Sequence, residues 1–250
     1  MFAEYLFAED LHAAARVLSG IGGEAVPLRP QTVSNRHSHQ FSKDATLLLE
    51  GDECNVVYCV LDGWIALSKA LEDGQNQIID FGLPGDIVDP VAADGATSSV
   101  TIEALTDASL AAMSYGSWET MIGDWPELHH LAHLVEAAKQ ARRDERILRL
   151  GKGTAEMRVA YALLEFCIRL APDCGSECYQ FHIPLTQQQL GDYVGLSSVH
   201  VCRTMRRMVR NGILEMHDHM DIRILDAPSL ARLAGVDIED LKREIVPARK

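Results

Sequence analysis

Between Pro184 and Leu214 the apolar residues Leu190, Val194, Leu196, Val201, Met205 and Met208 recur at helical spacing and break at Gly195. That pattern predicts two short helices sharing one buried corner, the spacing of a helix-turn-helix. Thr186 stands where the first helix needs an N-cap, with Gln189 three residues on as its capping-box partner, and Ser197 can cap the second helix. Directly afterwards, two short alternating runs, Ile213 to Met216 and Met220 to Leu225, flank His217-Asp218-His219 and predict a hairpin. Helix, turn, helix and hairpin together predict a winged helix.

Upstream the period changes. After a short helix expected at Glu9 to Leu18, the region from Glu24 to Met113 carries brief alternating or apolar runs. Gly51-Asp52, Asp62-Gly63, Asp73-Gly74 and Gly85-Asp86 divide them at roughly ten-residue spacing, which predicts a small antiparallel barrel or jelly roll. From Ser117 to Leu150 the pattern is helical. Leu131, Leu134, Ala138, Ala141, Glu145 and Leu148 fall at alternating three and four spacing, a seam whose alanines admit close approach of a second helix. A dimer helix is expected, the alternative being an amphipathic helix packed on its own barrel. Gly151-Lys152-Gly153-Thr154 interrupts the pattern as a candidate hinge, and a further helix, about Ala155 to Leu170, leads to a polar loop from Ala171 to Glu177. The expected class is α+β, with a barrel over 1–116, a dimerisation helix over 117–150 and a winged helix over 151–250.

Charge sharpens this division. The net charge is -13, which looks wrong for a protein that meets phosphates, but residues 1–150 hold 10 Lys+Arg against 23 Asp+Glu while residues 151–250 hold 13 against 13. The acidic half repels phosphates and the second half does not. Between Ser198 and Leu214 there is no acidic residue, and Arg203, Arg206, Arg207 and Arg210 all fall there. Laid in a major groove, such a helix points Arg203 at a guanine edge. Arg206, Arg207, Arg210 and Thr186 are then left near phosphates. Ser198, His200 and Cys202 are the other side chains expected near the groove, Ser198 first because it opens the helix. Double-stranded DNA is the expected partner.

Composition fits a globular chain of two units, 47% apolar and 24% charged over 250 residues. No apolar run of about 18 residues occurs and MFAEYLFAED lacks a basic region followed by an apolar core, so no membrane partner is expected and the cytoplasm is the expected location. The six cysteines, Cys54, Cys59, Cys167, Cys174, Cys178 and Cys202, are then expected as reduced thiols.

Barrel, long helix, glycine break and winged helix in that order resemble the Crp/Fnr family of bacterial transcription regulators over nearly the whole chain. The resemblance is most specific in VLDGWIALSKALEDGQNQIIDFGLPGD (60–86) and LTQQQLGDYVGLSSVHVCRTMRRMVRNGIL (185–214). It implies a cyclic-nucleotide-binding-like jelly roll and a homodimer on a palindromic operator, with RNA polymerase as a further partner. It also implies an effector pocket around Gly85, Asp86, Asp89, Ser98 and Ser99. Members that bind cyclic AMP carry Gly-Glu and Arg-Ser pairs where Asp89-Pro90 and Ser98-Ser99 stand here, so no charged partner for a phosphate remains. The expected effector is unknown or absent, as in FixK-like members. Family members also read bases through a Glu four residues before an Arg. Arg203 keeps the second place, and Val199 in the first offers contact with a thymine methyl instead of a hydrogen bond to cytosine.

Other constellations are weaker. No cysteine precedes Cys54, so four thiolates for an iron-sulfur cluster of the oxygen-sensing type are missing. His129 with His133, His37 with His39, and Cys167, Cys174, Cys178 with His182 have spacings seen at metal sites, but solvated histidines and buried or loop thiols are the commoner outcome. No cofactor or metal is expected. Nothing resembles a nucleophile elbow, a phosphate-cradling loop or paired catalytic carboxylates, and catalysis is not expected. The alternatives are a small-molecule or metal-binding sensor acting through protein contacts and, third, a cupin-type enzyme.

Overall fold

Short apolar runs become strands in the first half of the chain and helical periods become helices in the second. The computed structural model describes residues 38–170, 180–217 and 220–247. The expected N-terminal helix, His37, the loop from Ala171 to Glu177 with Cys174, Cys178 just after it, and Asp218-His219 lie outside the described residues. In sequence the chain divides into two compact units between Val135 and Glu136.

Among its described residues the first unit holds eight antiparallel strands in two four-stranded sheets. One has the order β1 (Ser38–Phe41), β8 (Ala108–Ser114), β3 (Val56–Asp62) and β6 (Ile87–Val88). The other has β2 (Thr46–Leu48), β7 (Thr101–Ala104), β4 (Ile65–Ala70) and β5 (Asn76–Gly82). Val60, Ile65, Val88, Ile102 and Leu110 are buried in one core cluster drawn from both sheets, which is what the alternation requires. The chain passes from one sheet to the other at Gly63, whose φ is +77°, and a Cβ there would meet Asp107 O at 2.2 Å. Only glycine fits that corner. Its neighbour Trp64 is buried, and Trp64 N donates to Thr106 Oγ1 at 2.9 Å.

Helix α1 (Tyr115–Asp124) follows β8, capped by Ser114, and packs Met121 with Met113, Leu128 and the half-buried Trp118. The single helix expected from Ser117 to Leu150 is in fact two. Trp125 is extended at φ -127°, ψ 92°, and Pro126 opens α2 (Pro126–Lys152). A proline has no N–H to donate and disfavours helix in the residue before it, so it serves as a first helical residue.

The second unit is built around α3 (Ala155–Leu170), in which every residue from Val159 to Ile168 is buried. Leu163, Leu164, Phe166 and Ile168 are at most 1% exposed, each contributing about 1.5–3 kcal/mol of burial. Against it lie α4 (Gln187–Val194), α5 (Ser198–Arg210), α6 (Ala227–Ala234) and α7 (Ile238–Ile245). The expected hairpin is present as β10 (Leu214–His217) paired with β11 (Asp221–Ile224). A third strand that the alternation did not reveal, β9 (Gln180–His182), adds to β11 with Asp221 opposite His182. Helices α6 and α7, capped by Asp226 and Asp237, were also not foreseen.

Candidate nucleic-acid interface

Both helix starts in the helix-turn-helix are capped as the sequence suggests. Thr186 Oγ1 accepts from Gln189 N at 3.1 Å while Thr186 N donates to Gln189 Oε1 at 2.8 Å, closing the capping box of α4. Ser197 caps α5 and its hydroxyl also lies 3.0 Å from His200 Nδ1. Gly195, at φ +64°, makes the turn. Gly191 is the part the sequence reading missed: a Cβ there would stand 2.3 Å from Leu196 O, so α4 and the turn touch backbone to side-chain position. A glycine inside an apolar helical pattern was the available signal.

Leu190, Val194, Val201, Met205 and Met208 form the buried corner and Leu196 is half-buried. The opposite face of α5 is solvated. Val199, Arg203, Arg206 and Arg210 are all exposed and follow one another at spacings of four, three and four, a single row along the helix. Among the described residues none of these three arginines makes an ion pair. Arg207 differs: its Nη1 donates to Glu156 Oε1 on α3 at 2.8 Å. Ser198 and Cys202 are half-buried beside the row and His200 is exposed.

Beneath this surface a second set of arginines is buried. Arg142, Arg146 and Arg149 on α2 are 4%, 6% and 4% exposed. Arg142 Nη1 donates to Ile245 O at 3.5 Å and Arg149 Nε to Ala234 O at 3.0 Å, so they meet the C-terminal carbonyls of α7 and α6. Arg146 Nη1 donates to the Tyr193 hydroxyl and its guanidinium lies 4.4 Å over that ring, as Arg149 lies 4.1 Å over Tyr161. Glu165, fully buried, accepts from the Tyr193 hydroxyl at 3.0 Å and from Arg169 Nη1 at 3.2 Å. Burial first, then the Glu165 carboxylate, pushes the Tyr161 phenol far above its ordinary value, so it stays a neutral hydroxyl.

The expected seam of α2 is placed unevenly. Leu148 is 55% exposed with Ile147 beside it at 59%, and Leu134 and Ala141 are half-buried. Leu131 is half-buried against Cys59, Ala111 and Val135, Ala138 is 3% exposed, and its neighbour Ala137 is exposed. His129, His130 and His133 are exposed, and Cys167 is buried and in no disulfide.

In the barrel the Asp89-Pro90 and Ser98-Ser99 segments lie side by side, Val91 bridging to Ser98 and Ser99 N donating to Pro90 O at 2.7 Å. Their polar groups serve the chain itself. Ser98 Oγ donates to Val100 O at 2.6 Å and Ser99 Oγ to Pro90 O at 3.0 Å. Asp89 Oδ1 accepts from Val91 N at 3.0 Å, Asp86 Oδ2 accepts from Leu83 N at 2.8 Å, and Gly85 N donates to Val60 O.

Comparison with known proteins decides between the readings. A family model of the Crp-like helix-turn-helix domain matches residues 157–233 and one of the cyclic nucleotide-binding domain matches residues 38–124. The transcriptional activator protein FnrA of Stutzerimonas stutzeri is 29% identical, covering 80% of this chain and 81% of its own. The nitrogen fixation regulation protein FixK of Bradyrhizobium diazoefficiens is 29% identical, covering 85% and 87%. The structure of FixK2 from Bradyrhizobium japonicum superposes with a TM-score of 0.69 at 27% identity, covering 78% of this chain and 96% of that one.

The chain belongs to the Crp/Fnr family. It is a transcription regulator of the Crp/Fnr type, with α4 and α5 as its DNA-binding helix-turn-helix. The Crp/Fnr family consists of transcription regulators, not enzymes. No helix among the described residues is long and apolar enough to cross a membrane.

Proposed function

We propose that the protein acts as a homodimer on a two-fold symmetric operator, with α5 of each protomer in a major groove and half-sites about one helical turn apart. The observation that carries this is the exposed row Val199, Arg203, Arg206 and Arg210 on a helix capped at its start and clear of acidic residues. Arg203 reads guanine O6 and N7, Val199 meets a thymine methyl, and Ser198, His200 and Cys202 flank them. Arg206 and Arg210 hold phosphates. Arg207 joins them only by leaving Glu156. Thr186 joins them only by turning its hydroxyl hydrogen from Gln189 Oε1 to a phosphate oxygen.

The dimer forms along the exposed stripe of α2 with Leu134, Ala137, Ala141, Ile147 and Leu148; two large apolar side chains in water at one helix end support a second copy there. Functionally the barrel is residues 1–116, the dimer helix 117–150 and the DNA-binding part 151–250. The protein works in the cytoplasm alongside RNA polymerase. Its barrel answers an unidentified effector or none: the side chains at the phosphate-facing positions are hydrogen-bonded within the chain and include no cation.

Selection of binding sites from random duplex DNA by the untreated chain tests the reading. A palindrome is expected, with its enrichment lost on Arg203→Ala, a change of about 1–3 kcal/mol at one base pair. Enrichment that survives Arg203→Ala, or none with or without added metabolite pools, overturns it.

A further inference from the structure

Arg158, half-buried on the first turn of α3, connects two places that the sequence keeps far apart. Its Nη2 donates to Leu150 O at 2.8 Å, and its Nε to Arg149 O at 3.1 Å and Gly153 O at 3.2 Å. These are carbonyls of the last turn and exit of α2, at the negative end of its dipole; Arg149 O also accepts from Gly153 N at 2.7 Å. The remaining donor, Nη1, reaches Gly195 O at 3.3 Å, in the turn between α4 and α5. One planar cation thus joins the end of the long helix to the turn that aims the base-facing helix.

The packing around it reinforces the same junction. A Cβ on Gly195 would stand 2.9 Å from Leu150 Cδ2, so the turn rests on the last turn of α2. Arg146 holds Tyr193, two residues before the turn. Gly153 is equally tight, since a Cβ there would meet Arg149 O at 2.7 Å. Gly151 to Thr154, expected as a hinge, is therefore a clamped exit: α2 runs through Lys152, α3 begins at Ala155, and Arg158 occupies the carbonyls between them.

We propose that Arg158 is a positioning residue for operator recognition: by fixing α5 against the end of α2, it sets the half-site spacing that the dimer accepts. This rests on the dimeric reading above. A small rotation at Gly195 is carried to Arg203 and displaces it along the groove, and in a dimer both displacements add in the distance between half-sites. Arg158 touches no base, so its loss broadens spacing without changing which bases are preferred within a half-site.

The test uses the full chain and duplexes carrying the selected palindrome at its best spacing and with one or two base pairs added or removed. Wild type is expected to prefer the best spacing by at least about tenfold over its nearest neighbours. Arg158→Met is expected to lose about tenfold at the best spacing and little elsewhere, flattening the profile, while random duplex is bound within about twofold of wild type. Arg158→Lys, which keeps the charge but cannot reach both sides at once, is expected to fall between them. Profiles as sharp as wild type in either folded variant overturn the proposal. If Arg158→Met fails to fold by circular dichroism, Arg158→Lys decides; collapse of both also overturns it, because the residue then serves the fold and not the spacing. A wild type without any preferred spacing instead removes the dimeric reading, an outcome distinct from sharp profiles throughout.

Discussion

The second unit contains the same side chain in two opposite settings. On α5, Arg203, Arg206 and Arg210 stand in water without an ion pair among the described residues. On α2, Arg142, Arg146 and Arg149 are buried against helix ends and tyrosine rings. A buried guanidinium must have acceptors in place, so each of the inner arginines is tied to structure. An exposed one keeps its donors for a ligand that brings its own oxygens. Burial, and not residue type, therefore separates arginines that build the unit from those proposed to meet DNA, and Arg207, exposed yet paired to Glu156, stands between the two groups.

Removing Glu165, whose carboxylate lies 3.8 Å from Arg142 Nε and 3.9 Å from Arg146 Nη1, should have the largest effect. Glu165→Ala leaves the Tyr193 hydroxyl and Arg169 facing an empty place and is expected to cost about 3–5 kcal/mol, seen as a lower urea midpoint; a midpoint unchanged within error would mean the inner arginines do not depend on it. Arg210→Ala probes the outer group. Stability should not change, affinity should fall for every duplex alike, and the slope of log affinity against log salt should decrease by about one. Sequence-dependent loss would place Arg210 among the base-reading side chains. Glu156→Gln shifts Arg207 from the intermediate setting to the outer one. Random-duplex affinity should rise by a few-fold at low salt, consistent with an exposed pair worth about 0–1 kcal/mol, and a fall would show that the pair orders the surface. The smallest effect concerns a carboxylate alone. Hydrogen bonds from Ser229, its hydroxyl first and then its backbone N–H, hold Asp226 below the usual carboxylate range. Its contribution is complete above about pH 4 and is lost as pH falls through its own lower value, so the stability gap between wild type and Asp226→Asn should narrow between pH 7 and pH 2. A gap that widens in acid would contradict that sign.

Legibility followed the range of the interactions. Thr186, Gln189, Ser197 and Gly195 are visible in the sequence because caps and turns are made within three or four residues. The Asp62-Gly63 and Asp73-Gly74 turns were legible for the same reason. The inner arginines were not, because charged residues on a helical period read as a solvated face, and the acceptors of Arg142 and Arg149 lie 103 and 85 residues away. Strand β9 is three residues long, too short to alternate. The burial of Ala138 was not legible either, because neighbouring alanines on one helix are indistinguishable by type and differ only in which side the chain itself covers.

The division between Val135 and Glu136 has a practical consequence for spectroscopy. The three tryptophans, Trp64, Trp118 and Trp125, all precede it, while Tyr161 and Tyr193 are, among the described residues, the aromatic hydroxyls of the second unit's buried interior. Tryptophan emission is consequently a private signal of the β-rich unit, and the helical signal in the far ultraviolet is weighted toward the other. Recorded in one titration, coincident curves would indicate a single cooperative transition and separated curves two, without a label or a truncation.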